Sequence, residues 1–120
     1  LDLEAEEAEE LKRLPEGREA EVQEALETVI DDLVGDVNMS LDFVENHENL
    51  TVPRLLVTGG GSRTPGLVDA LSRGTGRDTA RWQPFEKLSI DADRVDASEL
   101  PVLGQEMAVA IGLAARVTAA

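Results

Sequence analysis

Three consecutive glycines follow directly on a short apolar run, Val52-Pro53-Arg54-Leu55-Leu56-Val57-Thr58-Gly59-Gly60-Gly61. The run has the composition of a buried strand, with a proline at its start, and the glycines end it. Thr64 then reads as an N-cap with Pro65 at the first helical position. A helix is expected from Pro65 to about Arg73, with Leu67, Val68 and Leu71 inward and Gly74 and Gly76 stopping it. Thr79 to Trp82 reads as a second strand. Strand, helix, strand in this order predicts a parallel pair joined by a right-handed crossover. A parallel sheet is buried on both faces, and two strands cannot build one. The expected fold class is therefore α/β with few parallel strands, flanking helices and an incomplete sheet. The missing strands would come from the rest of a longer chain or from a second copy.

The remaining segments are helical or irregular. Leu3 to Leu14 reads as a short helix that Asp2 can cap, with Glu9 and Arg13 spaced i, i+4. Residues 1–18 form an acidic helical segment closed by the breaker Pro15-Glu16-Gly17, and residues 19–120 form the main portion. A long helix of about 40 Å is expected from Glu19 to Asn46. Val22, Leu26, Val29, Ile30, Leu33, Val37, Leu41 and Val44 give it one apolar stripe, and Gly35 weakens it. Pro84 to Pro101 has no clear period and reads as a loop. A last helix is expected from Leu103 to Val117, slim enough to lie close to a sheet. The start at Leu1 suggests a processed chain or a piece of a larger protein.

Charge narrows the partners. Of 25 acids, 17 fall in residues 1–50, against 3 of the 11 bases, so the net charge of −14 sits entirely in the first half. Such a run is read as a solvated helix face or, alternatively, as a docking surface for a basic partner. One Trp, two Phe and no Tyr leave few stacking partners, and phosphates need cations, so no nucleic-acid surface is expected. No apolar run reaches the roughly 18 residues of a membrane span, so no direct insertion is expected. The absence of Cys removes disulfides and thiolate chemistry and fits a cytosolic setting.

The glycine segment is the place where chemistry could sit. Glycines let a ligand approach the main chain, and a following helix would aim unpaired N–H groups at it. The pattern fits either an anion or sugar-phosphate site or a tight turn with no ligand. A phosphate-binding P-loop fails, because Leu67 and Val68 stand where Lys and Ser/Thr are required. A dinucleotide fingerprint fails at Thr64. The spacing Gly60-Gly61-Ser62-Arg63-Thr64 approaches a nucleophile elbow, which makes Ser62 a candidate serine of a small hydrolase. The only histidine, His47, precedes it and reads as an exposed helix-end residue. Asp91, Asp93 and Asp96 miss the calcium-loop pattern and read as a polar loop. Asn49-Leu50-Thr51 matches a glycosylation triplet, relevant only to a secreted protein. Trp82 beside Pro84 and Phe85 reads as core or a hinge contact.

Pro53 through Leu67, with Gly59-Gly60-Gly61-Ser62-Arg63-Thr64-Pro65-Gly66 at its centre, resembles the adenosine motif of actin-like ATPases. Within them it is similar to the PilM family of type IV pilus assembly proteins, relatives of the cell-division FtsA family. Ser40-Leu41-Asp42-Phe43, Trp82-x-Pro84-Phe85, Asp93-Arg94-Val95-Asp96 and the Ala108–Ala114 helix extend the likeness, as does the acidic Glu7–Lys12 stretch. The resemblance implies the C-terminal part of such a protein and a partial RNase H-like domain. Gly59, Gly60, Gly61 and Ser62 would line the adenosine side of an ATP site, and Asp36 would face the sugar. Met39 stands where the family usually has Arg, and a thioether cannot replace a stacking guanidinium.

What the resemblance implies for function is a cytoplasmic scaffold of the pilus machine, held at the inner membrane through partners such as PilN. ATP with Mg would bind the full-length protein, and this segment alone would hold none. No enzymatic activity is expected of it, because the phosphate- and Mg-handling groups are absent. An FtsA-like division adaptor is the alternative, and the Ser62 hydrolase a further one. The unfinished sheet also predicts self-association.

Overall fold

The structure is a computed structural model that describes residues 3–14 and 17–118. The chain divides into two compact units, the first ending at Leu50 and the second beginning at Thr51.

The first unit holds α1 (Ala5–Arg13) and α2 (Glu19–Glu48). In α1, Glu6 and Glu7 lie in the first turn and Lys12 and Arg13 in the last, each complementing the helix dipole. Glu9 accepts from Lys12 at 2.7 Å and from Arg13 at 3.1 Å, which includes the pair expected from spacing. Asp2, the expected cap, lies outside the described residues. Glu4 takes the N-cap place, with no side-chain hydrogen bond. Of the expected breaker only Gly17 is described, with φ +86°.

α2 runs through Gly35 without a break for 30 residues, about 45 Å. Asn49 closes it in the left-handed conformation, a role asparagine tolerates well. Of the expected apolar stripe only Ile30 and Leu41 are buried, on one face about three turns apart. Val29, Leu33 and Val44 stay exposed, which corrects the expectation. The reason within this unit is length: α1 has 9 residues and cannot cover a helix of 30.

The second unit begins with β1 (Arg54–Val57), a 3₁₀ turn (Gly60–Arg63), α3 (Leu67–Thr75) and β2 (Asp78–Arg81). The strands pair in parallel, Arg54 with Asp78 through Val57 with Arg81, as the element order predicts. An Arg54–Asp78 ion pair of 2.9 Å opens the ladder, and Trp82 N donating to Val57 O at 2.9 Å extends it. α3 is the crossover. It buries Leu67 and Leu71, one turn apart, and Gly76 caps it with φ +66°. The sheet has two strands, and Leu56 is 58% exposed. It is the incomplete parallel sheet that the sequence implies.

Two helices follow the long loop, α4 (Leu100–Glu106) and α5 (Ala108–Thr118), bent by 77°. This corrects the single helix expected from Leu103 to Val117. Met107, at φ −94° and ψ 4°, leaves the helical basin and turns the chain. The expected close approach to the sheet is also corrected. α5 buries nothing, with Val109 74% and Val117 80% exposed. Close packing falls instead at Gly104, where an added Cβ would lie 2.8 Å from the Phe85 ring. No single described helix is long and apolar enough to cross a membrane.

Candidate functional site

The glycine turn is built by backbone conformations that other residues resist. Gly59 has φ +92° and ψ 167°, a region only glycine enters without strain. It swings the chain from β1 into the 3₁₀ turn, closed by Ser62 N to Gly59 O at 3.1 Å and Thr64 N to Gly61 O at 3.0 Å. Thr64 is extended at ψ 126°, as a residue before proline prefers. Gly66 is left-handed at φ +78° and caps α3, whose first residue is Leu67. This corrects the expected helix start at Thr64-Pro65, because a left-handed Gly66 cannot continue a helix begun there. It also removes α3 as the helix directly following Gly59–Gly61.

The three glycines differ in what lies above them. A Cβ at Gly59 or Gly61 would meet no heavy atom within 4 Å. At Gly60 it would meet only Glu106, Cγ and Oε1 both at 3.8 Å. The backbone here is thus approachable, with a carboxylate at its rim. Arg63 holds that carboxylate at 2.5 Å and donates to Val102 O at 3.2 Å.

Ser62 is turned inward. Its residue is 2% exposed, and its Oγ lies 2.7 Å from Gly59 O and 3.1 Å from Gln105 Oε1. The single hydroxyl hydrogen is therefore directed at carbonyl oxygens inside the turn. An elbow serine needs an exposed Oγ beside a base, so the hydrolase alternative finds no support in this geometry. Ser62 contributes to the turn as its brace, and its main-chain oxygen accepts from Arg81 Nε at 2.8 Å.

Gln105 is the residue that sequence reading missed. It is 1% exposed, the least exposed side chain among the described residues together with Ser62. Its Nε2 donates to Trp82 O at 2.9 Å, which fixes Oε1 on the Ser62 side, since a carbonyl facing Trp82 O would repel it. Its main-chain oxygen accepts Gly59 N–H at 2.8 Å and faces Thr58 Oγ1 at 3.4 Å. One residue of α4 thereby ties the end of β1, the glycine turn and the end of β2. Nothing in a local window marks a helical glutamine for such a place.

The other candidates belong to other segments of the chain. Asp36 sits on α2 in the first unit, in a shallow groove with Met39, Ser40, Phe43 and Val44. His47, exposed as expected, stacks on Phe43 at 4.0 Å between ring centres. Asp91 and Asp96 accept hydrogen bonds from Asp93 N and from Ser98, and the loop around them is exposed. Among the described residues no group of three His, Asp or Glu could hold a metal ion. Trp82 is held through its carbonyl, its side chain partly exposed.

The fold and turn define a class: an α/β segment with an unfinished parallel sheet and a braced, open glycine turn after its first strand. The chain belongs to the family of type IV pilus assembly protein PilM, whose family profile matches residues 1–118. A chain of the solved PilM–PilN type IV pilus biogenesis complex matches with a TM-score of 0.80 and 31% identity. The match covers 97% of this chain and 33% of that one, so this chain spans about a third of its solved relative's length. Comparison with curated proteins gives no match.

Proposed function

We propose that this chain supplies the adenosine side of an ATP site in an actin-like, cytoplasmic scaffold of the type IV pilus machine. The supporting observation is the open space above Gly59 and Gly61 beside the Glu106 carboxylate. Bare backbone admits a flat nucleoside closely, and Glu106, paired with Arg63, keeps carboxylate lone pairs that can accept from sugar hydroxyls. That chemistry suits the nucleoside end of a nucleotide. Phosphate and Mg would be held by residues outside this chain, so the scaffold would use ATP to set conformation and assembly. The solved relative is a chain of a PilM–PilN type IV pilus biogenesis complex, and a PilN-type inner-membrane protein is the partner proposed here.

The test is calorimetric titration of adenosine and of ATP with Mg into the full-length protein. Wild type should bind both. Gly61→Leu should abolish adenosine binding while leaving the unfolding midpoint in place, because Gly61 has ordinary φ and empty space above it. Absence of adenosine binding to wild type sinks the reading.

A further inference from the structure

We propose that Gln105 is a positioning residue for the nucleoside: buried behind the glycine turn, it fixes the turn's shape without touching the ligand. This rests on the adenosine reading above. Three successive glycines have more backbone freedom than any other tripeptide, and a turn that pivots freely presents no fixed surface. Preorganisation of such a surface raises affinity by removing the ordering penalty at binding. Gln105 is placed to do this. Its main-chain oxygen holds Gly59 N–H, its Oε1 faces Ser62 Oγ, and its Nε2 holds Trp82 O at the end of the neighbouring strand. Space above Gly59 and Gly61 is open, with no heavy atom within 4 Å of an added Cβ. Brace and open backbone therefore belong to the same four residues, Gly59 to Ser62.

The amide chemistry makes the role testable by pH. A protonated glutamic acid has the shape of glutamine and can both donate to Trp82 O and accept from Ser62 Oγ. An ionised one can only accept, and sets a charge against Trp82 O. Burial raises the carboxyl's pKa, so the change should fall in the mildly acidic to neutral range.

The experiment measures adenosine affinity of the full-length protein between pH 5 and 8, roughly the range a buried carboxyl spans. Wild type should vary little. Gln105→Glu should match wild type at the acid end and lose about tenfold as it ionises, the scale of one unsatisfied buried group. Ser62→Ala should weaken binding several-fold at every pH, and it carries the test if Gln105→Glu does not fold. Wild-type affinity in Ser62→Ala, or a Gln105→Glu profile parallel to wild type, overturns the positioning role and leaves the adenosine site standing. Wild type that binds no adenosine overturns both.

Discussion

Ser62 Oγ lies 3.1 Å from Gln105 Oε1, and these two side chains are the most deeply buried polar groups among the described residues. Low local dielectric makes such a pair strong when satisfied and expensive when broken. Gln105→Leu leaves Trp82 O without its partner, and the loss should be about 2–3 kcal/mol. Ser62→Ala removes a donor that has two nearby acceptors and should lower stability by about 1 kcal/mol. Urea unfolding of both variants checks the order, and equal stabilities would contradict it.

Gly104 has no room for a side chain. An added Cβ would stand 2.8 Å and 3.0 Å from two Phe85 ring carbons. Gly104→Ala should therefore destabilise by about 1–3 kcal/mol, the range for overpacking. Phe85→Leu in the same chain should recover part of it. By contrast Gly35, inside α2 with nothing within 4 Å, should gain about 1 kcal/mol on replacement by Ala. Thermal unfolding followed by circular dichroism would register opposite signs at the two sites.

Gly59 separates conformational strain from space. Its surroundings are open, yet φ +92° is denied to other residues. Gly59→Ala should lower stability by about 1–3 kcal/mol despite the empty space. Gly61→Ala, with ordinary φ, should be nearly neutral.

Acid should loosen the turn that precedes α4. Asp96 is held below the usual carboxyl range chiefly by the Ser98 hydroxyl at 2.6 Å, then by Ser98 N–H. A pKa lowered by folding gives stability that is full above the unfolded value and lost as pH falls through the folded one. Ser98→Ala should move the Asp96 titration up towards its ordinary value, as carbon-detected NMR of the carboxyl would reveal. The Glu9 carboxyl, held down by Lys12 first and then by Arg13, should behave in the same direction in α1.

Both strands of the two-stranded sheet have an edge without a partner strand among the described residues, and Leu56 is exposed. Edges of this kind pair with other chains. The 120-residue chain alone should self-associate in sedimentation velocity as concentration rises, and Leu56→Lys should shift it towards monomer.

The order strand, glycines, helix, strand was legible because each sign is local. Leu55 to Val57 carries strand composition, Gly59 to Gly61 end it, and Leu67 with Leu71 marks a helical face. The same locality explains the long helix and the Glu9–Arg13 pair. The family likeness added what no local sign contains, and the match over residues 1–118 supports it. The helix start was misread because Pro65 suits a first turn, whereas Gly66 adopts a conformation that its sequence merely permits.

Sequence alone determined an α/β chain with two parallel strands too few to close a sheet, since period and glycine freedom act over a handful of residues. Only the tertiary structure decided that Ser62 turns inward, that Gln105 meets it across a separation of 43 residues, and that the chain bends at Met107 between α4 and α5. Those outcomes depend on which distant groups satisfy one another's hydrogen bonds, and no local pattern carries that information.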